Sequence, residues 1–587
     1  MSLGLVVPAV SGAAAPSGVL RIAEAPNATP NYILPFYPPS QCTVTNTSQF
    51  QQMMFRPLYW FGLGSNAGLI PSISAGNAPK YTKNNTRVTF STKGWKFADG
   101  QTVNGQSVMF FLNMYKAEPS NFCTYTPGLG IPDQVAGASA HGNSVTLILK
   151  SSVNPLWFTD NMLAVITPMA DAWDRTASST NGKCATGAYG AASTIVNCKN
   201  VYNFLNAQAL KVATFTGKMW QSGVDGPWKL TKMDNLGNAT FVANPKYSGP
   251  VKPKIKTVKL IAFTTSQAEQ NQLQAGNLDL GYVDPSVLTS PAISPTRPGA
   301  NWGPVASRYN LFSNELFSNN YMNLNFGSNP GAKFLNQEYI RQALQQSIDQ
   351  PAIIKNAFKG YGVPTYSALP PLTPISESAP IKNPFPFSLS AAESLLTSHG
   401  WTMQSNQLVC TSPGTGASDC GAGINSGDKL SLSVLWVSGT PSLDTEMNAV
   451  LADWSSLGIS TTHATDTFGH VAGACPVAYN KSTTYDICNW GGGWLFAPDY
   501  FPSGEPLYLT GAGSNSGGYS NATMDKLIKQ TLSANVKLTA YGNFSAKDVP
   551  VLWDPLATGT GEVSKKLHSS IGFSSVLDNF TPEYYHF

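Results

Sequence analysis

Segments with the two-residue repeat of a half-buried strand alternate along this chain with segments carrying the 3.6-residue repeat of a helix. "KLSLSVLWVSG" (429–439) followed by "DTEMNAVLADWSSLGIS" (444–460) is one such unit, strand then helix, the repeating element of an open α/β lobe. "GWKFADGQTVNGQSVMFFLNMYKA" (94–117) is another. Its Asp99-Gly100 pair supplies a turn, and Asn104 is placed to cap a helix whose Val108, Phe111, Leu112 and Tyr115 lie on one flank. "NQEYIRQALQQSIDQPAIIKNAF" (336–358) reads as one strong helix and "SQAEQNQLQAG" (266–276) as a helix stopped at Gly276. An alternation sustained over 587 residues is too long for one compact core, so two or more α/β lobes are expected.

The surface chemistry narrows the function. Charged residues make up 12% of the chain, about half the ~25% of an ordinary globular protein. Asn, Ser, Thr and Gly take their place, while the apolar share of 42% is enough for folded cores. A net charge of +4 without a Lys/Arg cluster gives no footprint for nucleic acid. No G-x-S-x-G elbow, H-E-x-x-H pair or phosphate-cradling G-x-x-x-x-G-K-[ST] loop occurs, and the six histidines are scattered. No enzyme class, cofactor or metal set is therefore expected. A secreted hydrolase with an unrecognised carboxylate pair is the remote alternative.

Six of the eight cysteines fall into short-range couples, Cys184 with Cys198, Cys410 with Cys420 and Cys475 with Cys488, which leaves Cys42 and Cys123 to each other by elimination. Metal ligation and free thiols are the alternatives, but no C-x-x-C occurs and no cysteine has a histidine at ligand spacing. Disulfides place the protein outside the cytoplasm. The opening 1–17 is uncharged and rich in small residues, so it reads as a signal-peptide remnant or a disordered N-terminus. It lacks a basic leading region and a lipidation cysteine, so any lipid anchor is expected to lie upstream of this sequence or to be absent.

Four blocks, in order, carry a resemblance. They are "GWKFADGQTVNGQSVMFF" (94–111), "GPWKL…VANPKYSG" (226–249), "LQAGNLDLGYVDP" (273–285) and "NYMNLNF…FLNQEYIRQALQQSIDQPAII" (320–354), the last with Arg341, Ala343, Ile348 and Asp349 in place. In these the chain resembles the bacterial extracellular solute-binding proteins of family 5, the oligopeptide- and dipeptide-binding components of ABC importers. The resemblance implies an α/β, two-lobed, periplasmic-binding-protein-like fold with the ligand in the inter-lobe cleft. It implies a first lobe of 18–56, 200–290 and 555–587, an extra subdomain of 57–199, and a second lobe of 291–554. The 94–117 unit then belongs to the subdomain as scaffold. The implied protein is a monomer that hands a small solute, foremost a peptide, to ABC permease subunits. The family also binds metal chelates, haem, sugars and opines.

Binding needs aromatic walls and a few directed polar groups, and "NWGGGWLFAPDYF" (489–501) offers both. Trp490 and Trp494 are the candidate walls, with core packing as the alternative for either. Gly492 and Gly493 are candidate points of close backbone approach. Trp436 is a second candidate, and Phe36 and Tyr37 resemble the family's early cleft segment. Peptide-binding members carry an Asp in a Trp-Gly-x-Asp pattern that holds the peptide ammonium, whereas the position aligned from Trp490 is Gly493. Asp499, or else Asp486, is expected to replace it, unless the ligand has no such ammonium.

Overall fold

The computed structural model describes residues 17–371, 381–532, 537–573 and 575–587, so the proposed leader lies, up to residue 16, outside the described residues. A seven-stranded sheet organises the first lobe. Its central strands Ser17–Ala23 and Ile255–Ile261 run parallel, in register from Val19 opposite Thr257 to Ala23 opposite Ile261. Buried Leu20 and Ile22 alternate with outward Arg21, the two-residue repeat seen in the sequence. Hairpin strands Trp228–Met233 and Ala239–Ala243 extend one edge, and Leu280–Tyr282 and Gly559–Ser564 extend the other. Tyr309–Asn314 completes this sheet by pairing antiparallel with Gly559–Ser564, although the expected boundary at 290 assigns it to the second lobe. Six consecutive ladder pairs, Tyr309 to Asn314 against Ser564 to Gly559, put it there.

The second lobe centres on Ser431–Val437, flanked by Ser460–Asp466 and Ile487–Asn489, both parallel to it. Ser318–Leu324 follows, with every residue buried, and pairs antiparallel with Ile487–Asn489, Trp494–Leu495 and Leu552–Asp554. A four-stranded antiparallel sheet between residues 80 and 149 belongs to an extra subdomain. The architecture is the two-lobed α/β fold.

Local signals largely hold. Asn104 caps the helix Gly105–Ala117, its Oδ1 accepting from the amides of Gln106 at 2.9 Å and Ser107 at 3.2 Å. This helix is buried on almost every side rather than on one flank, because Ala192–Ala209 and the four-stranded sheet pack on it together. Gly276 ends the helix Ser266–Ala275 at φ 78°, a left-handed conformation that costs glycine little. The single helix read over 336–358 is two, Glu338–Gln346 and Gln350–Asn356. Asp349 caps the second by accepting from Ala352 N at 3.0 Å, and Pro351, which has no N–H to give, sits in its first turn.

All four cysteine pairs are disulfides: Cys42–Cys123, Cys184–Cys198, Cys410–Cys420 and Cys475–Cys488. The three short ones close separations of 14, 10 and 13 residues, whereas Cys42–Cys123 joins segments 81 residues apart. Among the described residues no helix is long and apolar enough to cross a membrane.

Candidate functional site

The two lobes meet over a cavity of about 410 Å³. One wall is the first-lobe segment around Pro39, Ser40, Cys42, Thr43 and Val44, and the other is the second-lobe turn Trp490–Trp494 with Thr440, Leu443 and Glu446. A neighbouring chamber of about 690 Å³ shares Ala28, Ser40, Thr43, Thr45, Phe468 and Ala472 with it and is lined by Asn27, Asn31, Asn46, Asn235 and Asn238. The cleft thus has an aromatic part and an amide-lined part. Direct bonds join the lobes beside it: Ser442 donates through Oγ to Asp284 Oδ2 at 2.8 Å, and Asn27 Nδ2 donates to Ser438 O at 3.2 Å.

The glycine turn owes its shape to the strand behind it. Ser318 and Asn319 pair with Leu495 and Trp494, which brings Gly493 hard against that strand. A Cβ on Gly493 would lie 2.4 Å from Asn319 O and 2.7 Å from Tyr321 Cδ1. No side chain fits there, so this backbone excludes an Asp at the position aligned from Trp490. At Gly492 a Cβ meets nothing within 4 Å. Alanine at Gly493 is expected to cost about 1–3 kcal/mol by forcing the turn off its strand, while alanine at Gly492 should change stability by less than about 0.5 kcal/mol. Thermal unfolding of the two variants side by side checks this, and equal losses would contradict the packing described.

Trp490 and Trp494 are half-buried in the cavity lining. Trp490 meets the Tyr321 ring edge to face at 5.6 Å and donates from its indole to Gly493 O at 3.1 Å. The Trp494 indole donates to both carboxyl oxygens of Asp499, at 2.9 and 3.0 Å. Asp499 therefore lies behind the wall, 1% exposed and outside the cavity lining. Burial pushes its carboxyl well above the usual range and the charge of Glu505 adds to this, against the pull of the Trp494 indole. Asp486 does not face the cleft either. It is an internal brace, accepting from Asn329 Nδ2 and Gly331 N at 2.7 Å and from Ser433 N and Oγ at 2.8 Å.

Three further candidates are core residues. Phe36 is 0% exposed among Phe111, Phe122 and Tyr202, with ring centroids 5.0–5.7 Å away, and Tyr37 packs on Phe122 at 5.4 Å. They anchor the loop leading to Pro39, which does line the cavity. Trp436 is buried, stacks on His463 and donates to Asp444 Oδ1 at 2.8 Å.

Sequence reasoning missed Glu446 and Asp578, the two carboxyl groups in the lining. Glu446 had a readable signal, since it interrupts the apolar stripe Leu443, Met447, Val450, Leu451 and Trp454 of the helix Pro441–Ser456. Asp578 had none. It accepts from Gln49 Nε2 at 2.9 Å and Tyr282 Oη at 3.2 Å, and burial raises its carboxyl to about 7. Among the described residues, no group of three His, Cys, Asp or Glu side chains is placed to hold a metal ion.

Known proteins with the same architecture span the whole chain. The oligopeptide-binding protein AppA of Bacillus subtilis, solved with a nonapeptide, superposes with a TM-score of 0.72 at 16% identity, covering 97% of this chain and 99% of that one. Lactococcal OppA, solved with an endogenous peptide in a closed conformation, gives 0.69 at 15% identity over 97% and 99%. NikZ of Campylobacter jejuni, solved with Ni(L-His), gives 0.66 at 14% identity over 95% and 96%. By sequence, the oligopeptide-binding protein OppA of Bacillus subtilis (strain 168) is 26% identical over 147 residues, which span only 25% of this chain and 25% of that protein. The profile of the bacterial extracellular solute-binding proteins, family 5 (middle), matches residues 77–517, three-quarters of the chain. With that match laid over a two-lobed fold and an inter-lobe cleft, the chain belongs to the bacterial extracellular solute-binding proteins of family 5.

Proposed function

We propose that this chain captures a peptide of several residues in the inter-lobe cleft, outside the cytoplasm, and delivers it as a monomer to the permease subunits of an ABC importer. The observation that carries this reading is the two-part cavity. Trp490 and Trp494 offer flat apolar wall, Gly492 lets a ligand main chain come close, and the neighbouring asparagines offer donors and acceptors of the kind a peptide backbone pairs with. Relatives named for oligopeptides support the ligand class. Four disulfides suit an oxidising compartment. We take 18–56, 200–290 and 555–587 as the first lobe, adding 309–314 for its ladder with 559–564. We take 57–199 as the subdomain and the rest of 291–554 as the second lobe.

A non-peptide solute is the second reading, favoured by Gly493, where no carboxylate fits, and by the NikZ complex with Ni(L-His). Native mass spectrometry of the purified protein decides between them. A series of copurifying peptide masses supports the first reading, and a single chelate, sugar or other small molecule sinks it. Small-angle scattering of stripped protein with and without that solute should show a smaller radius of gyration when bound, because a ligand touching both lobes favours the closed form. Recovery of the solute chemically unchanged separates a binder from a hydrolase.

A further inference from the structure

Buried carboxylates in this protein usually have donors. Asp486 accepts four hydrogen bonds and Asp499 two, while Glu505 accepts from Trp157, Asn161 and Ser503. Two acidic residues, one in the cavity lining and one outside it, do not follow this pattern. Glu446 is 1% exposed and lines the cavity, and its Oε1 has no hydrogen-bond partner. Asp554 is 0% exposed. Its Oδ2 accepts from Asn489 Nδ2 at 3.3 Å, while its Oδ1 has no partner. Glu24 and Asp225 Oδ2 are also unpartnered and, like Asp554, line neither chamber. Asp554 differs in that Asn489, which donates to it, also reaches Met447 Sδ, next to Glu446, at 3.4 Å.

The two acids come from distant parts of the second lobe. Glu446 is on the inward face of the helix Pro441–Ser456, and Asp554 ends the strand paired to Asn320–Met322, next to Asn489 at the root of the tryptophan turn. Among the described residues lining either chamber there is no Lys, Arg or His. The protein thus sets one carboxyl oxygen without a donor, Glu446 Oε1, in a cavity lining that contains no cation of its own, with a second, Asp554 Oδ1, outside that lining. An unsatisfied buried acceptor is costly, and one carboxyl beside another more so, unless something else brings the donor.

We infer that Glu446, backed by Asp554, forms the subsite for one cationic group of the bound solute, an ammonium or a guanidinium. Such a group brings both the missing N–H donors and the missing charge. Trp490 in the same lining adds a ring face that attracts a cation. Burial raises Glu446 well above the usual carboxylate range with the Asp554 charge adding to it, and burial raises Asp554 likewise. The subsite rests on the solute-binding reading above and specifies what the solute must carry.

The test uses full-length protein stripped of copurifying solute by unfolding and refolding. It is offered an equal mixture of three random pentapeptide sets: N-acetylated without basic residues, free-amine without basic residues, and N-acetylated with one Lys or Arg. Retained peptides are separated by gel filtration and counted by mass spectrometry. Wild type should enrich one cationic set at least tenfold over the neutral set. Glu446→Gln should abolish the enrichment while still retaining neutral peptides, and it should melt no lower than wild type, because it removes a buried charge at constant shape. If that variant folds poorly, Asp554→Asn carries the same comparison. Equal retention of all sets by wild type, or enrichment that survives in both variants, overturns the subsite and leaves the peptide reading standing. If no set is retained, the peptide reading fails instead, and the copurifying solute judges the subsite. A cationic solute lost from Glu446→Gln supports it, and a neutral or anionic one overturns it.

Discussion

Replacing Cys42 and Cys123 together by serine should lower the free energy of unfolding by about 4 kcal/mol, because their bond closes a loop of separation 81 in the unfolded chain. The same change at Cys410 and Cys420, separated by 10, should cost about 3 kcal/mol or less. Guanidinium denaturation without reductant measures both, and a smaller loss for the long loop would contradict the chain-entropy explanation. The long bond also bears on function. Cys42 lies in the cavity wall between Ser40 and Thr43, while Cys123 is fully buried in the core, its amide donating to Tyr37 O at 3.0 Å. Loss of the bond should therefore weaken solute binding as well as stability. Loss of Cys410–Cys420, which lines neither chamber, should affect stability alone.

A loss of similar size is expected from Arg56→Met. Arg56 and Glu583 form an ion pair with both side chains 1% exposed. The guanidinium lies 4.1 Å from the centre of the Trp60 ring, and Glu583 also accepts from the Trp228 indole at 3.3 Å. Burial acts against the charge on Arg56, and Glu583 together with Tyr247 and Tyr584 outweighs it. Removing one partner leaves an uncompensated buried charge, which costs about 3–5 kcal/mol. Arg56→Met with Glu583→Gln should recover part of that loss, since neither charge is then stranded. If the double variant is as unstable as the sum of both single ones, the pair contributes no coupling and the interpretation fails. Glu583 is five residues from Asp578, so the pair also holds the C-terminal segment that contributes Asp578 to the cavity lining.

Much of the protein was legible because it is encoded locally. The Asn104 cap, the left-handed Gly276 and the strand repeat of Leu20 and Ile22 depend on residues within a turn or two of each other. Short-range cysteine couples are equally local, and elimination then served for Cys42 and Cys123. The ordered motifs from 94 to 354 were enough for the family. Even the error over 336–358 was local, since Pro351 and the capping Asp349 were both in view.

Which side of a wall a residue occupies was not legible. Phe36, Tyr37 and Trp436 have the right chemistry for a cleft, yet neighbours from remote parts of the chain enclose them. Asp499 follows the tryptophan turn closely, but its carboxyl points behind that turn to the Trp494 indole. Gly493 is glycine because the strand Ser318–Leu324 leaves no room for a Cβ, a fact about a pairing between distant segments. The helix Pro441–Ser456 and the strand Leu552–Asp554, which carry Glu446 and Asp554, meet through Asn489, which reaches Met447 Sδ on the one and Asp554 Oδ2 on the other. By itself the sequence determined the class of fold, the family and the disulfide partners, since caps, turns and periodicities act over a few residues. Only the tertiary structure decided which polar groups face the cleft without a partner, because burial and hydrogen bonding there are set by long-range ladders and by the meeting of two lobes.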